Sequence, residues 1–108
     1  MIERVEDNLE AIRAVCRQFG VERLETYQDS SYDENDPDWS PVRFLVDLGP
    51  DGVGSAWGAI DLALALEAVV GRMVVLTERR HVQDRGYLAA TAKQRVTIHE
   101  SRKQKAAA

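Results

Sequence analysis

Cysteine is almost absent from this chain of 108 residues: Cys16 stands alone. A lone thiol excludes an intrachain disulfide and any zinc site built on cysteines, and it fits a reducing compartment. Histidine is nearly as scarce, with only His81 and His99. They are separated by a helix-length stretch, so a paired ligand or acid–base role competes with plain surface positions, the commoner fate of such residues. No apolar run approaches the roughly 20 residues that a membrane span needs. The opening Met-Ile-Glu-Arg is amphipathic and acidic, unlike a signal peptide. These absences together read as a cytoplasmic protein.

What remains is an ordinary globular mixture, 44% hydrophobic and 30% charged. The length fits one domain, drawn at residues 1–100 with a frayed basic tail at 101–108, and a chain of this size buries roughly two-thirds of its unfolded surface. The net charge of −4 conceals an asymmetry: residues 1–71 carry fifteen acids against five arginines, while residues 72–108 carry nine Arg and Lys against three acids. Such a dipolar chain can pair with itself as a homo-oligomer, or turn one charged face to a partner. Nucleic acid stays open as that partner, although the basic third has neither interleaved aromatics nor a recognised nucleic-acid motif.

Hydrophobic spacing predicts the elements. Ile2, Val5, Leu9, Ile12, Val15, Cys16 and Phe19 recur every three or four residues, predicting one helix that ends at Gly20. Cys16 lies on its apolar side and is expected in the core. A short strand is expected at 22–27, then a polar, acidic loop at 28–41 containing Pro37 and Pro41. Residues 42–48 (VRFLVDL) have the composition of a buried central strand, closed by a turn at 49–52. Ser55 suits the cap of a helix over 56–70 so apolar that it should be covered on more than one side. A strand follows at 72–77 (RMVVLT), then a looser helix at 79–93 weakened by Gly86. Residues 94–100 read either as a strand or as more helix. The fold class is therefore α+β, a small mixed twisted sheet backed by helices.

At this level of detail the chain resembles the minimal nucleotidyltransferases of the polymerase-β-like superfamily. The likeness runs over residues 10–100. The first helix closes on Arg17-Gln18-Phe19-Gly20-Val21, and a short strand ends in the aromatic Tyr27. The string 40–50 (SPVRFLVDLGP) takes the place of the family's Ser-Asp-x-Asp strand. Leu66-Glu67, Gly71-Arg72 and the apolar 73–77 match a helix ending Leu-Glu-x-x-x-Gly-Arg and its following strand.

The departures fall where the resemblance puts catalysis. Gln28 and Asp29 stand at the family's Gly-Ser pair. Pro41 and Arg43 stand at its Asp-x-Asp pair, and Val75 at its third Asp. One extra residue, Trp39, lengthens the loop. Nucleotidyl transfer in such enzymes uses two divalent ions held by carboxylates one residue apart on a strand, a spacing that turns both to one face. Proline and valine offer no ligand, and arginine repels a metal. Gln28 replaces the glycine that lets backbone N–H groups approach phosphates.

The resemblance therefore implies a pseudoenzyme without cofactor, retained as an antitoxin-like module that binds a HEPN-type protein. Two alternatives stay open: Mg²⁺- and ATP-dependent transfer through carboxylates of the acidic loop (Asp29, Asp33, Asp36, Asp38), or a non-catalytic nucleotide or RNA sensor. The loop's ordinary reading is a solvated, mobile segment, since its spacing matches no known ligand pattern. Arg43 can clamp a phosphate or pair with a loop carboxylate, and the ion pair is the expected use. Asp47 is expected at the surface, and Trp57 in the core. Trp39, Arg79 and Arg80 are the candidate partner-binding residues.

Overall fold

The computed structural model describes residues 2–28, 32–36, 40–48, 56–79, 85–92 and 94–101. The elements run α1 (Glu3–Glu6), α2 (Leu9–Phe19), β1 (Arg23–Thr26), β2 (Val42–Asp47), α3 (Ala56–Val70), β3 (Val74–Glu78), α4 (Arg85–Thr91) and β4 (Val96–Glu100). The four strands form one mixed sheet in the order β3-β2-β1-β4. β1 pairs antiparallel with both β2 and β4, and β2 pairs parallel with β3. Residues 94–100, ambiguous in sequence, thus supply an edge strand, and the fold is the expected α+β sheet with helices.

The predicted first helix is broken in two. At the break the Asn8 side chain donates to the carbonyl of Arg4 (2.6 Å), while the Asn8 backbone N–H turns to Val5 at 3.1 Å instead of continuing the i−4 ladder. An asparagine in mid-helix competes for backbone partners in this way. The apolar stripe survives the break, because Val5 and Ile12 are both fully buried. Gly20 ends α2 at φ 67°, and the N–H of Val21 returns to the carbonyl of Cys16.

Strand alternation divides the sheet into two faces. Val42, Phe44 and Val46 of β2 join Leu24 of β1, Ile12 and Cys16 of α2, and Leu62, Leu66 and Val70 of α3 in one core cluster. Each fully buried Leu, Ile or Phe in it contributes about 1.5–3 kcal/mol. Arg43, Leu45 and Asp47 alternate with these residues and lie on the opposite face. A bulge between Leu24 and Glu25 leaves Ile98 of β4 as the extra residue. Ile98 turns into the core, and its carbonyl accepts Nε of Arg13 at 3.0 Å.

One expectation about packing fails. α3 is covered on one side only: Leu62 and Leu66 are fully buried, while Ile60 and Leu64 are 48% and 57% exposed. Its composition is apolar all round, so composition could not tell the covered side from the open one. Ala59, Ile60 and Ala63 line a shallow groove with Leu76, Thr77 and Glu78 of β3. Among the described residues, no helix is long and apolar enough to cross a membrane.

Candidate functional site

The register brings several of the positions named by the resemblance to one end of the sheet. Arg43 of β2 lies directly beside Val75 of β3. Gln28 continues past the end of β1 and bridges the neighbouring strand with its side-chain amide. Its Oε1 accepts the N–H of Arg43 at 2.7 Å, and its Nε2 donates to the carbonyl of Pro41 at 3.2 Å. Thr26 Oγ1 and the Tyr27 N–H both donate to the carbonyl of Arg43. The Gln28 side chain thus fills space beside β2 that a glycine would leave open.

A divalent ion does not fit these residues, since Pro41 and Val75 offer no ligand and Arg43 repels one. Among the described residues, no group of three His, Cys, Asp or Glu is placed to hold a metal. No described carboxylate lies within ion-pair distance of Arg43. Asp29, Asp38, Trp39, Arg80 and His81, together with the turn at 49–52, Ser55 and the 102–108 tail, lie outside the described residues, as does the side chain of Trp57.

The acidic loop has an anchor that composition did not reveal. Arg72, between α3 and β3, is buried, with its side chain 2% exposed. Its Nη1 donates to Tyr32 Oη (3.2 Å), the carbonyl of Asp33 (3.1 Å) and the carbonyl of Ser40 (3.3 Å). Its Nη2 donates to the carbonyl of Glu34, and the guanidinium sits 5.4 Å from the centre of the Tyr32 ring. Arg4 adds a second tie, reaching Glu34 Oε1 at 2.7 Å and the carbonyl of Val70 at 3.0 Å. Residues 32–36 and 40 are therefore held against the end of α3, where a mobile loop was expected. Asp33 is used locally, its Oδ1 accepting the N–H of Asn35 at 2.9 Å.

The electrostatics of this clasp are mutual. The Tyr32 hydroxyl donates to Glu34 Oε2 at 2.5 Å. That bond, with the Arg4 and Arg72 charges, holds the Glu34 carboxyl below its ordinary value. Burial and the same bond push the Tyr32 hydroxyl up. The acidic loop is thus partly neutralised from within.

A second polar cluster lies on the sheet face away from the helix core. Glu25, on β1 opposite Leu45, has its carboxylate 7% exposed and meets three arginines. Arg79 Nη1 donates to Oε1 at 2.8 Å. Arg23 Nε stands 3.6 Å from Oε1, and Arg95 Nε stands 3.7 Å from Oε2. Arg79 and Arg95 bracket the crossover from β3 to β4, so this connection begins and ends on that face. Leu45 is 1% exposed there. Arg79 thus has an intramolecular partner besides any role at an interface.

The remaining candidates sit apart from both clusters. Cys16 is fully buried, and burial pushes its thiol up to about 12, so it is an inert core group. His99 Nε2 lies 3.1 Å from the carbonyl of Val21, tying β4 to the start of β1. Asp47 is half-buried on the Glu25 face of the sheet, at the register position of Arg23.

With this geometry in view, the comparisons are one-sided. No protein-family model and no curated protein matches the chain. Solved structures do. A mutant of the toxin–antitoxin complex MntA–HpeT contains a chain that aligns at TM-score 0.64 and 14% identity, over 90% of this chain and 77% of that one. A tri-AMPylated HEPN toxin of Shewanella oneidensis in complex with its MNT antitoxin gives 0.61 and 12%, over 93% and 76%. A toxin–antitoxin with AMP-PNP gives 0.61 and 14%, over 90% and 77%. The shared property at these identities is the fold, and it is the nucleotidyltransferase-like fold that the sequence resembles.

Proposed function

We propose that this chain is a non-catalytic, antitoxin-like module that acts by binding a HEPN-type protein. The observation that carries the reading is the end of the sheet. One solved chain of this fold comes from a complex with a HEPN toxin and two others from toxin–antitoxin structures, and the resemblance puts the family's metal-binding positions at Pro41, Arg43 and Val75. Gln28 closes the backbone groups beside them. Neutralisation is then by contact, without nucleotide transfer.

The contact surface that best fits a protein partner is the uncovered side of α3. A soluble helix seldom leaves two large apolar residues one turn apart in water without a use for them, and Ile60 and Leu64 stand so. The groove beside them runs along β3, the edge strand of the described sheet.

The test is co-expression with a HEPN-type protein encoded beside this chain, followed by co-purification and intact-mass measurement. A stable complex whose partner keeps its unmodified mass after incubation with Mg²⁺ and ATP is the expected result. Leu64→Asp should release the partner while leaving the melting temperature of the free chain unchanged. A nucleotidyl group added to the partner would overturn the non-catalytic reading, and a Leu64→Asp variant that binds normally would move the interface elsewhere.

A further inference from the structure

Among the described residues the charges around Glu25 do not balance. One carboxylate faces three guanidinium groups, and of these described groups only Arg79 forms a hydrogen bond to it. Arg23 Nε, Arg95 Nε and Arg95 Nη1 are all buried with no hydrogen-bond partner. Arg23 has other relief: its Nη2 donates to Thr97 Oγ1 at 3.3 Å, and Asp47 and Glu100 are its register neighbours. Arg95 has none of this, although its side chain is only 12% exposed. A buried guanidinium with two unmade hydrogen bonds is destabilising unless an acceptor completes it. Tyr27 and Arg43, next along the same face, add a further cation and no acid, as the Tyr27 N–H bond to the Arg43 carbonyl places the two side by side.

We infer that the arginines around Glu25 form a binding site for a compact phosphoanion, taken up without a metal ion. Arginine presents paired N–H donors that match phosphate oxygens. Arg95 supplies two unused donors, Arg23 one, and Arg79 a partly exposed guanidinium at the rim. The three fixed charges do what a bound cation does elsewhere, so phosphate uptake here needs no Mg²⁺. The site lies beside the crossover from β3 to β4, so an anion bound there also ties Arg79 and Arg95 together. This inference is independent of the partner reading and is tested on the chain alone.

The experiment uses the full chain in EDTA, titrated with inorganic phosphate against sodium chloride of equal ionic strength. A saturable rise in melting temperature of about 5 °C or more at ten times the dissociation constant is expected. The arginine Nε–Hε signals of Arg23 and Arg95 should shift along the same curve, a readout that needs no variant. Arg95→Met should abolish the rise, and Glu25→Gln should tighten binding by about threefold or more by removing the competing charge. AMP binding more tightly than phosphate would assign the phosphate to a nucleotide, and equal binding would assign it to the free ion. A phosphate curve that coincides with the chloride curve, with unmoved Arg23 and Arg95 signals, would overturn the inference. So would a phosphate response undiminished in a folded Arg95→Met.

Discussion

Replacing Arg72 by alanine should cost this protein more stability than any other single change to a charged residue. Its guanidinium is buried and reaches Tyr32 Oη and the carbonyls of Asp33, Glu34 and Ser40, with the Tyr32 ring beneath it. Hydrogen bonds from a charged donor contribute about 1.5–3 kcal/mol each when fully buried. Two acceptors discount that sum, because Asp33 and Glu34 are exposed and their carbonyls regain water once released. Ser40 is buried, and its carbonyl would be left without the guanidinium. A loss of about 2–4 kcal/mol is the reasonable magnitude, taking the Ser40 bond near full value and the other three together at a fraction of one bond. For a domain of this size that lowers the melting temperature by roughly 10–20 °C.

The assay is thermal unfolding followed by circular dichroism on wild type, Arg72→Ala and Arg72→Lys. Lysine keeps the charge, but its single ammonium cannot span four acceptors and a ring, so it should recover less than half of the loss. Limited proteolysis should find new cuts within residues 32–36 in both variants, with β1 and β2 intact. A melting temperature within about 3 °C of wild type in Arg72→Ala would refute the reasoning, since the loop would then hold itself without the guanidinium.

Three further outcomes follow from the same geometry. Glu34 has its carboxyl held down in the fold, so it contributes stability that is present above its unfolded value near 4.5 and is lost as pH falls through the lower folded value; acid titration of Glu34→Gln should lack that step. Tyr32 is shifted the other way, so its contribution is complete below pH 10 and is lost only as pH rises through the higher folded value; alkaline unfolding should move toward neutrality in Tyr32→Phe. Cys16, pushed up to about 12 from 9.0, has roughly a thousandth of the usual thiolate, so labelling by a thiol reagent at pH 8 should keep pace with unfolding rather than with reagent concentration.

Much of the architecture was legible because periodicity reports burial directly. The spacing of Val5, Ile12 and Cys16 names the core side of the first helical region, and 42–48 reads as a buried strand because both of its faces are covered. The break at Asn8 was not legible, since the apolar stripe continues across it and only a side-chain hydrogen bond interrupts the backbone. The open side of α3 was hidden for the opposite reason: Ile60 and Leu64 look the same in sequence as Leu62 and Leu66. Gln28, Pro41, Arg43 and Val75 were named by the resemblance alone, and the register sets Arg43 beside Val75 while Gln28 bonds the backbone of Pro41 and Arg43. Arg72 was readable only as a string, because nothing in a Gly-Arg pair announces that the arginine will turn back onto a loop some forty residues earlier. Glu25 offered a weak signal that went unused. A carboxylate between the buried Leu24 and Thr26 belongs to the opposite face, and such a group needs cations from elsewhere in the chain.

The two arginine clusters explain why the charge asymmetry of the sequence is not simply a surface property. The acidic first two-thirds and the basic last third meet inside the fold. Arg72 crosses to the acidic loop, and Arg79 and Arg95 cross to Glu25. Each crossing joins segments distant in sequence. A metal-dependent site there would need carboxylates free to gather around a cation. Among the described acids, Glu34 and Glu25 are instead committed to arginines, and Asp33 to the backbone of its own turn. Restoring aspartate at 41, 43 and 75 would therefore not restore a two-metal centre by itself, because the arginines around Glu25 and Glu34 would still carry the local charge.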